Sequence, residues 1–265
     1  MPVVHNQGVE IFFEDIGAGP PVVLGHSFLC SGKMWREQVP ALAGKFRVIN
    51  PDLRGHGRSG EVNRRFSLHD AVSDVLAVLD RLSIQRAVWC GLSIGGMVAL
   101  RAALSCPERV SGLILLDTDA GAETALRTLK YLAMGAGARV VGVGPFVPSI
   151  ARLMFGATTR RQNPTLVTEW KKEFSGVHVP SVLRWLEALM RRDSVLARLD
   201  QIGVPALVLV GEEDRSLPPP LSRRIHALLR DSSFGLIPAA GHLSALEQPA
   251  PVTGAIFGFL LSHTN

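Results

Sequence analysis

The sequence predicts an α/β protein: parallel strands joined by crossover helices and interrupted by a helical insertion. Three observations carry that reading. Short apolar runs alternate with amphipathic stretches through the first half, strand signals vanish from about Ala120 to Arg198, and they return at Pro205–Val210 and Phe234–Ile237. The chain has 265 residues, 47% of them hydrophobic and 19% charged, which is enough apolar side chain for a large core and excludes disorder. Such a length fits one α/β domain with an insertion or two small domains. No repeat or low-complexity linker intervenes, so the insertion is expected to pack on the sheet as a cap. Residues 1–119 and 199–265 then form the sheet domain and 120–198 the cap.

In chain order, Val9–Asp15, Pro21–Leu24 and Phe46–Asn50 read as strands. Leu68–Leu82 places Leu68, Val72, Val75, Leu76 and Leu79 at helical spacing with Asp and Arg between them, and reads as a helix. Arg86–Cys90 and Leu113–Leu116 are buried strands, separated by a small-residue helix over Gly95–Leu104 that stops before Pro107. Inside the insertion, Thr124–Met134, Pro164–Phe174 and Val179–Arg192 read as helices broken by glycine-rich or proline-containing turns. Beyond it come a helix over Leu221–Leu229 and a closing helix over Leu243–Leu261, interrupted by Pro249 and Pro251.

Composition removes several functions. The net charge of +5 is scattered in doublets such as Arg64-Arg65, Arg160-Arg161 and Arg223-Arg224. It is not gathered with stacking aromatics, so no nucleic-acid partner is expected. Tyr131–Ile150 contains Arg139, four glycines and two prolines, short of the roughly 20 apolar residues of a span, and no membrane partner is expected. Met1–Glu10 lacks a basic flank followed by an apolar run, which makes the cytoplasm the default location. Cys30, Cys90 and Cys106 are too few and too irregular for a disulfide framework or a zinc site, and the isolated His5, His69, His178, His226 and His263 lack ligand spacing. Neither metal nor organic cofactor is expected.

The chemistry gathers at Gly91-Leu92-Ser93-Ile94-Gly95, which follows an apolar run and opens a helix. A sharp strand-to-helix turn lifts a serine hydroxyl above a sheet and needs small neighbours two residues away on either side. The bare pattern arises by chance about 0.2 times in a chain of this kind, so its flanking strand and helix give it weight; a serine capping a helix after a glycine turn is the plainer alternative. A serine hydroxyl needs a base, and the base an orienting carboxylate. His242 follows the last strand, and Asp214 follows Ala206–Val210 directly. Both stand at carboxyl ends of strands, where open α/β sheets place functional groups.

With those residues in place the chain resembles the α/β-hydrolase superfamily across essentially its whole length, above all its capped serine esterase and lactonase branch. Ser93, Asp214 and His242 match the family's nucleophile, acid and base. Asp52-Leu53-Arg54-Gly55-His56-Gly57-Arg58-Ser59 matches its D-x-R-G-x-G-x-S turn after the fourth strand, and Gly25-His26 through Trp35 its oxyanion-loop segment. The resemblance implies the α/β-hydrolase fold: a mostly parallel sheet of about eight strands, flanked by helices, with a helical cap after the sixth strand. It implies a small-molecule ester or lactone substrate cleaved through an acyl-enzyme, with the Phe28 and Ile94 amides as oxyanion donors; Phe28 as a mere pocket wall stays open. Ser27 departs from the glycine usual in relatives, as it does in enol-lactone hydrolases, and leaves the substrate open. Asp117 or Asp119 remains an alternative acid, since some relatives keep theirs after that strand. His26 is expected to brace the oxyanion loop, and His56 to be structural. Carbon-carbon bond hydrolysis, perhydrolysis and non-catalytic ligand binding are the rival readings. From the cap, Met134, Phe146, Leu153, Phe155 and Trp185 are expected to include pocket-facing residues, against the alternative that they only pack cap on core.

Overall fold

The computed structural model describes residues 2–264; Met1 and Asn265, at the ends of the predicted sheet domain, lie outside them. Its strands are β1 (Val3–Asn6), β2 (Val9–Ile16), β3 (Pro21–Gly25), β4 (Arg47–Pro51), β5 (Ala87–Leu92), β6 (Val110–Leu116), β7 (Ala206–Gly211) and β8 (Ser232–Ile237). They form one sheet in the order β1-β2-β4-β3-β5-β6-β7-β8. Strand β2 runs antiparallel to both its neighbours, β1 and β4, and all pairs from β4 to β8 are parallel. The helices are α1 (Gln38–Ala43), α2 (Leu68–Arg81), α3 (Ile94–Ser105), α4 (Ala125–Val141), α5 (Val147–Met154), α6 (Ala157–Gln162), α7 (Pro164–Ser175), α8 (Val179–Met190), α9 (Pro219–Leu228), α10 (Ser244–Glu247) and α11 (Pro249–His263).

Strand alternation divides the core. Val22, Leu24, Val88, Cys90, Ile114 and Leu116 face one apolar layer, completed by Leu42 of α1 and Val252, Ile256 and Leu260 of α11. Their neighbours Val23, Trp89, Leu113 and Leu115 face the other, completed by α2, α3 and Ile225 of α9. Burial on both faces is why these strands read as unbroken apolar runs. The entry to α2 is set locally: the Ser67 hydroxyl accepts from the Asp70 amide (3.4 Å) while Asp70 accepts from the Ser67 amide (2.7 Å).

Between β6 and β7 the regular elements are all helical, α4 to α8. The predicted helix over Thr124–Met134 runs on to Val141, because Gly135 and Gly137 serve as contact points and not as breaks. A Cβ at Gly137 would lie 2.5 Å from the Phe146 ring, and one at Gly135 3.3 Å from Leu183. The helices α1, α5 and α6 carry no separate sequence expectation. Nor does β1, a four-residue edge strand joined to β2 through Gln7 and Gly8, whose positive φ angles of 50° and 77° make a two-residue hairpin turn. The predicted break in the closing helix falls at Gln248, before Pro249.

Candidate active site

At the end of β5 the backbone turns through Ser93, a non-glycine residue at φ 56°, ψ −114°, and α3 begins at the next residue. Such a conformation costs of order 1–3 kcal/mol and persists only where its surroundings enforce it. The enforcement is steric: a Cβ at Gly91 would lie 2.2 Å from the Gly95 carbonyl carbon, and one at Gly95 2.2 Å from the Gly25 carbonyl oxygen. The elbow is therefore pressed, backbone on backbone, against the end of β3. Gly95→Ala is expected to cost at least about 2 kcal/mol of stability and to displace Ser93; thermal unfolding and turnover of the purified variant check it.

That contact also positions the two amides expected as oxyanion donors. In the parallel pairing of β3 with β5, Gly25 stands opposite Gly91. Phe28 and Ile94 each lie three residues beyond that pair, and among the described residues neither amide is engaged by a protein acceptor. The Ile94 N–H opens α3, where helix amides are free and the dipole favours negative charge. Two neutral histidines hold the other loop. His26 accepts from the Leu53 amide at Nε2 (2.8 Å) and donates from Nδ1 to the Ser27 carbonyl (2.8 Å); burial pulls its pKa down. His56 accepts from the Leu29 amide (3.3 Å) and meets the Arg54 carbonyl through Nδ1 (3.3 Å), and burial holds it well below the usual imidazole range. Asp52 accepts from the Gly32 (2.6 Å) and Arg58 (2.8 Å) amides, so the D-x-R-G-x-G turn acts as a brace for residues 26–32.

Asp214 and His242 meet: Asp214 Oδ2 lies 2.9 Å from His242 Nδ1, both buried, while Asp214 Oδ1 accepts from the Ser216 (2.7 Å) and Leu217 (2.9 Å) amides. Burial alone would lower the imidazole's pKa, but the Asp214 charge and hydrogen bond, with Asp117 and Glu247 behind them, leave it raised. The imidazole's hydrogen bond is to Asp214 and not to Ser93; contacts of that kind commonly tighten only with substrate in place. Asp117 is spent elsewhere. Its carboxylate accepts from the Gly211 amide (2.7 Å) and the Ser244 hydroxyl, and burial followed by the Asp214 charge raises its pKa well above the usual range. Asp119 binds the Gly121 amide (3.0 Å) and Arg192 (3.3 Å).

Sequence reasoning missed Glu247 and read Glu213, with Glu212, as a solvated loop edge. Glu247 accepts from the amides of Gly156 (2.8 Å), Gly241 (2.9 Å) and Leu243 (3.2 Å), and Glu213 from that of Thr158 (2.8 Å), so Glu247 ties the His242 turn, and Glu213 the Asp214 turn, to the start of α6. A glutamate five residues after the histidine, in a four-residue helix, carries no spacing signal that could have found it. Of the expected pocket residues, Met134 and Phe146 are half-buried against the apolar cluster that includes Phe28, and Phe155 is buried beside Phe174. Leu153 is a correction: it is 45% exposed on the outer face of α5. Trp185 is a second one. Its indole N–H donates to the Arg54 carbonyl (2.7 Å) and its ring packs on His56 and Phe66, which makes it a wedge between helix and turn and leaves no face for a pocket.

Residues 22–255 match the family described as the alpha/beta hydrolase family, and the chain belongs to it. Among solved structures, a thermophilic esterase from Thermogutta terrifontis superposes with a TM-score of 0.93 at 30% identity, covering 99% of this chain and 97% of its own. The enol-lactonase from Burkholderia xenovorans LB400 superposes with a TM-score of 0.92 at 26% identity, covering 98% and 100%. A third relative, the 2-hydroxy-6-oxo-2,4-heptadienoate hydrolase of Pseudomonas putida, is 28% identical over 91% of this chain and 89% of its own. The fold is that of the family, with an eight-stranded, mostly parallel sheet.

Proposed function

We propose that the protein is a carboxylic ester or lactone hydrolase working through an acyl-enzyme, with Ser93, His242 and Asp214 as its triad. The observation that carries this is the buried Asp214–His242 pair at the same strand ends as a serine held at positive φ. Ser93 Oγ attacks the carbonyl carbon while His242 Nε2 takes the hydroxyl proton; Asp214 holds the tautomer and the imidazolium. The Phe28 and Ile94 amides stabilise the oxyanion. The leaving alkoxide takes the proton from His242, and a water activated by the same nitrogen releases the acid and restores Ser93. No step needs a metal or organic cofactor.

On this reading residues 1–119 and 199–265 carry the triad, and 120–198 cover it as a cap. Phe28, Met134, Phe146 and Phe155 belong to or pack on one apolar cluster, which supports a small or medium uncharged acyl or alcohol group as substrate. Free Cys30, Cys90 and Cys106 accord with a reducing cytoplasm. The test is fluorophosphonate labelling of Ser93 followed by a panel of uncharged esters, lactones and charged esters. Labelling with turnover of the uncharged members is expected, whereas no labelling would leave a non-catalytic binding protein and strong preference for charged substrates would remove the apolar pocket. A second reading, carbon-carbon bond hydrolysis on the same triad, draws on the heptadienoate hydrolase relative; vinylogous diketones in the panel separate it.

The pH profile follows from the base. His242 must be neutral to take a proton, and its neighbours hold it above the ordinary value of 6.5. Activity is therefore expected to fall with decreasing pH through a midpoint above 6.5 in kcat/KM, and Asp214→Asn to move that midpoint downward. A midpoint below it in the wild type would contradict the assignment.

A further inference from the structure

The most exposed apolar surface lies on α4. Val140 is 84% exposed, Leu126 65% and Leu129 64%, and with the exposed Ala133 and Ala136 they recur at separations of three and four residues along one face. The opposite face, with Gly135 and Ala138, is the one buried. At 100° per residue Lys130 and Arg127 flank the stripe on one side, Arg139 and the exposed Leu132 on the other. Beside it, a cleft of about 380 Å³ between α4 and α8 carries Arg65, Arg139 and Arg184 on its lining; Glu187, the acid in that lining, is already bound by Arg65 (2.6 Å) and Arg184 (3.0 Å).

Charge is segregated to match. Residues 120–198 hold twelve Lys and Arg against five Asp and Glu, a net of +7, where the whole chain carries 28 against 23; the remainder is therefore net −2. Between Glu123 and Glu169 there are six basic residues and no acid. That excludes the obvious occupant of a stripe at three-four spacing, a second copy of the helix. Antiparallel pairing about Ala133 would set Lys130 and Arg127 toward Arg139, and parallel pairing Lys130 toward Lys130, with no acid on either helix to relieve them. An apolar stripe with cations on both flanks matches instead a surface that offers hydrocarbon below a layer of negative charge.

We propose that the exposed face of α4 docks the protein on an anionic lipid surface, Leu126, Leu129 and Val140 entering the interface while Lys130 and Arg139 lie among the headgroups. This is peripheral attachment. Among the described residues no helix is long and apolar enough to cross a membrane, and the expectation of no membrane partner, drawn from the lack of a span, does not reach a helix lying in the interface.

The test is co-sedimentation of the full chain with vesicles of phosphatidylglycerol and phosphatidylcholine in equal parts and with phosphatidylcholine alone. Binding to the anionic vesicles is expected to exceed binding to the neutral ones by at least about tenfold and to weaken as salt is raised. The double variant Leu129→Gln/Val140→Gln should bind the anionic vesicles at least about tenfold less, with its circular dichroism and its turnover of a short soluble ester unchanged. Absence of sedimentation with the anionic vesicles, equal sedimentation of wild type and double variant, or equal binding to both vesicle types would each overturn the proposal. So would a dimer in solution that the double variant dissociates, because the stripe would then belong to a second copy.

Discussion

Replacing Ser93 with Ala is expected to lower ester turnover by about three or more orders of magnitude while leaving the fold intact, a loss of at least about 4 kcal/mol of transition-state stabilisation. The substitution removes one oxygen from a residue already 5% exposed, and the glycine contacts that enforce φ 56° do not involve its side chain. The free Phe28 and Ile94 amides remain, so the residual rate should still exceed that of the uncatalysed reaction. Steady-state kinetics with a thermal melt of the same sample check it; near-normal turnover in a folded Ser93→Ala protein would remove the acyl-enzyme mechanism.

The second large effect separates two buried carboxylates that both act on His242 through space. Asp214→Asn is expected to depress kcat by about ten-thousandfold with KM little changed, because an amide facing Nδ1 favours the wrong tautomer and cannot stabilise the imidazolium. Asp117→Asn is expected to stay within about tenfold of wild type. Its oxygens serve the Gly211 amide and the Ser244 hydroxyl, roles an Asn side chain can largely keep, and burial already favours its neutral form. A severe loss in the Asp117 variant beside a near-normal Asp214 variant would move the acid to the end of β6.

The sheet was legible wherever strands are buried on both faces: β3 to β7 each begin or end within two or three residues of the expected positions, since unbroken apolar runs have no other explanation at that length. The half-exposed β1 gave no such signal. The glycines misled in one place and guided in another. Gly135 and Gly137 suggested a break in a helix that continues, because they admit Leu183 and Phe146; Gly91 and Gly95 marked the elbow for the same physical reason, a backbone approach too close for a Cβ. In the candidate site, the positions of Ser93, Asp214 and His242 were legible because each follows a strand. Glu247, Glu213 and the commitment of Trp185 to Arg54 were not, because they depend on which turns the fold brings together. Leu153 stood among the pocket candidates on hydrophobicity alone, and the helical phase of α5 turns it outward.

The turn that carries His242 is built against the helical segment as tightly as the elbow is built against β3. A Cβ at Gly241 would lie 2.2 Å from the Gly156 amide nitrogen, one at Gly211 2.1 Å from the Gly241 carbonyl oxygen, and Glu247 bridges the amides of Gly156 and Gly241. If residues 120–198 set substrate range as proposed, transplanting the segment between β6 and β7 from a homologue is the direct way to alter it. The junction limits where that graft can be cut. A donor segment joined outside Met154–Thr158 would have to reproduce a glycine at position 156 and an amide for Glu247, or the proposed base, His242, would lose its footing along with the old specificity. Replacement confined to α4 or to α8, with residues 154–158 kept, leaves His242 where it is.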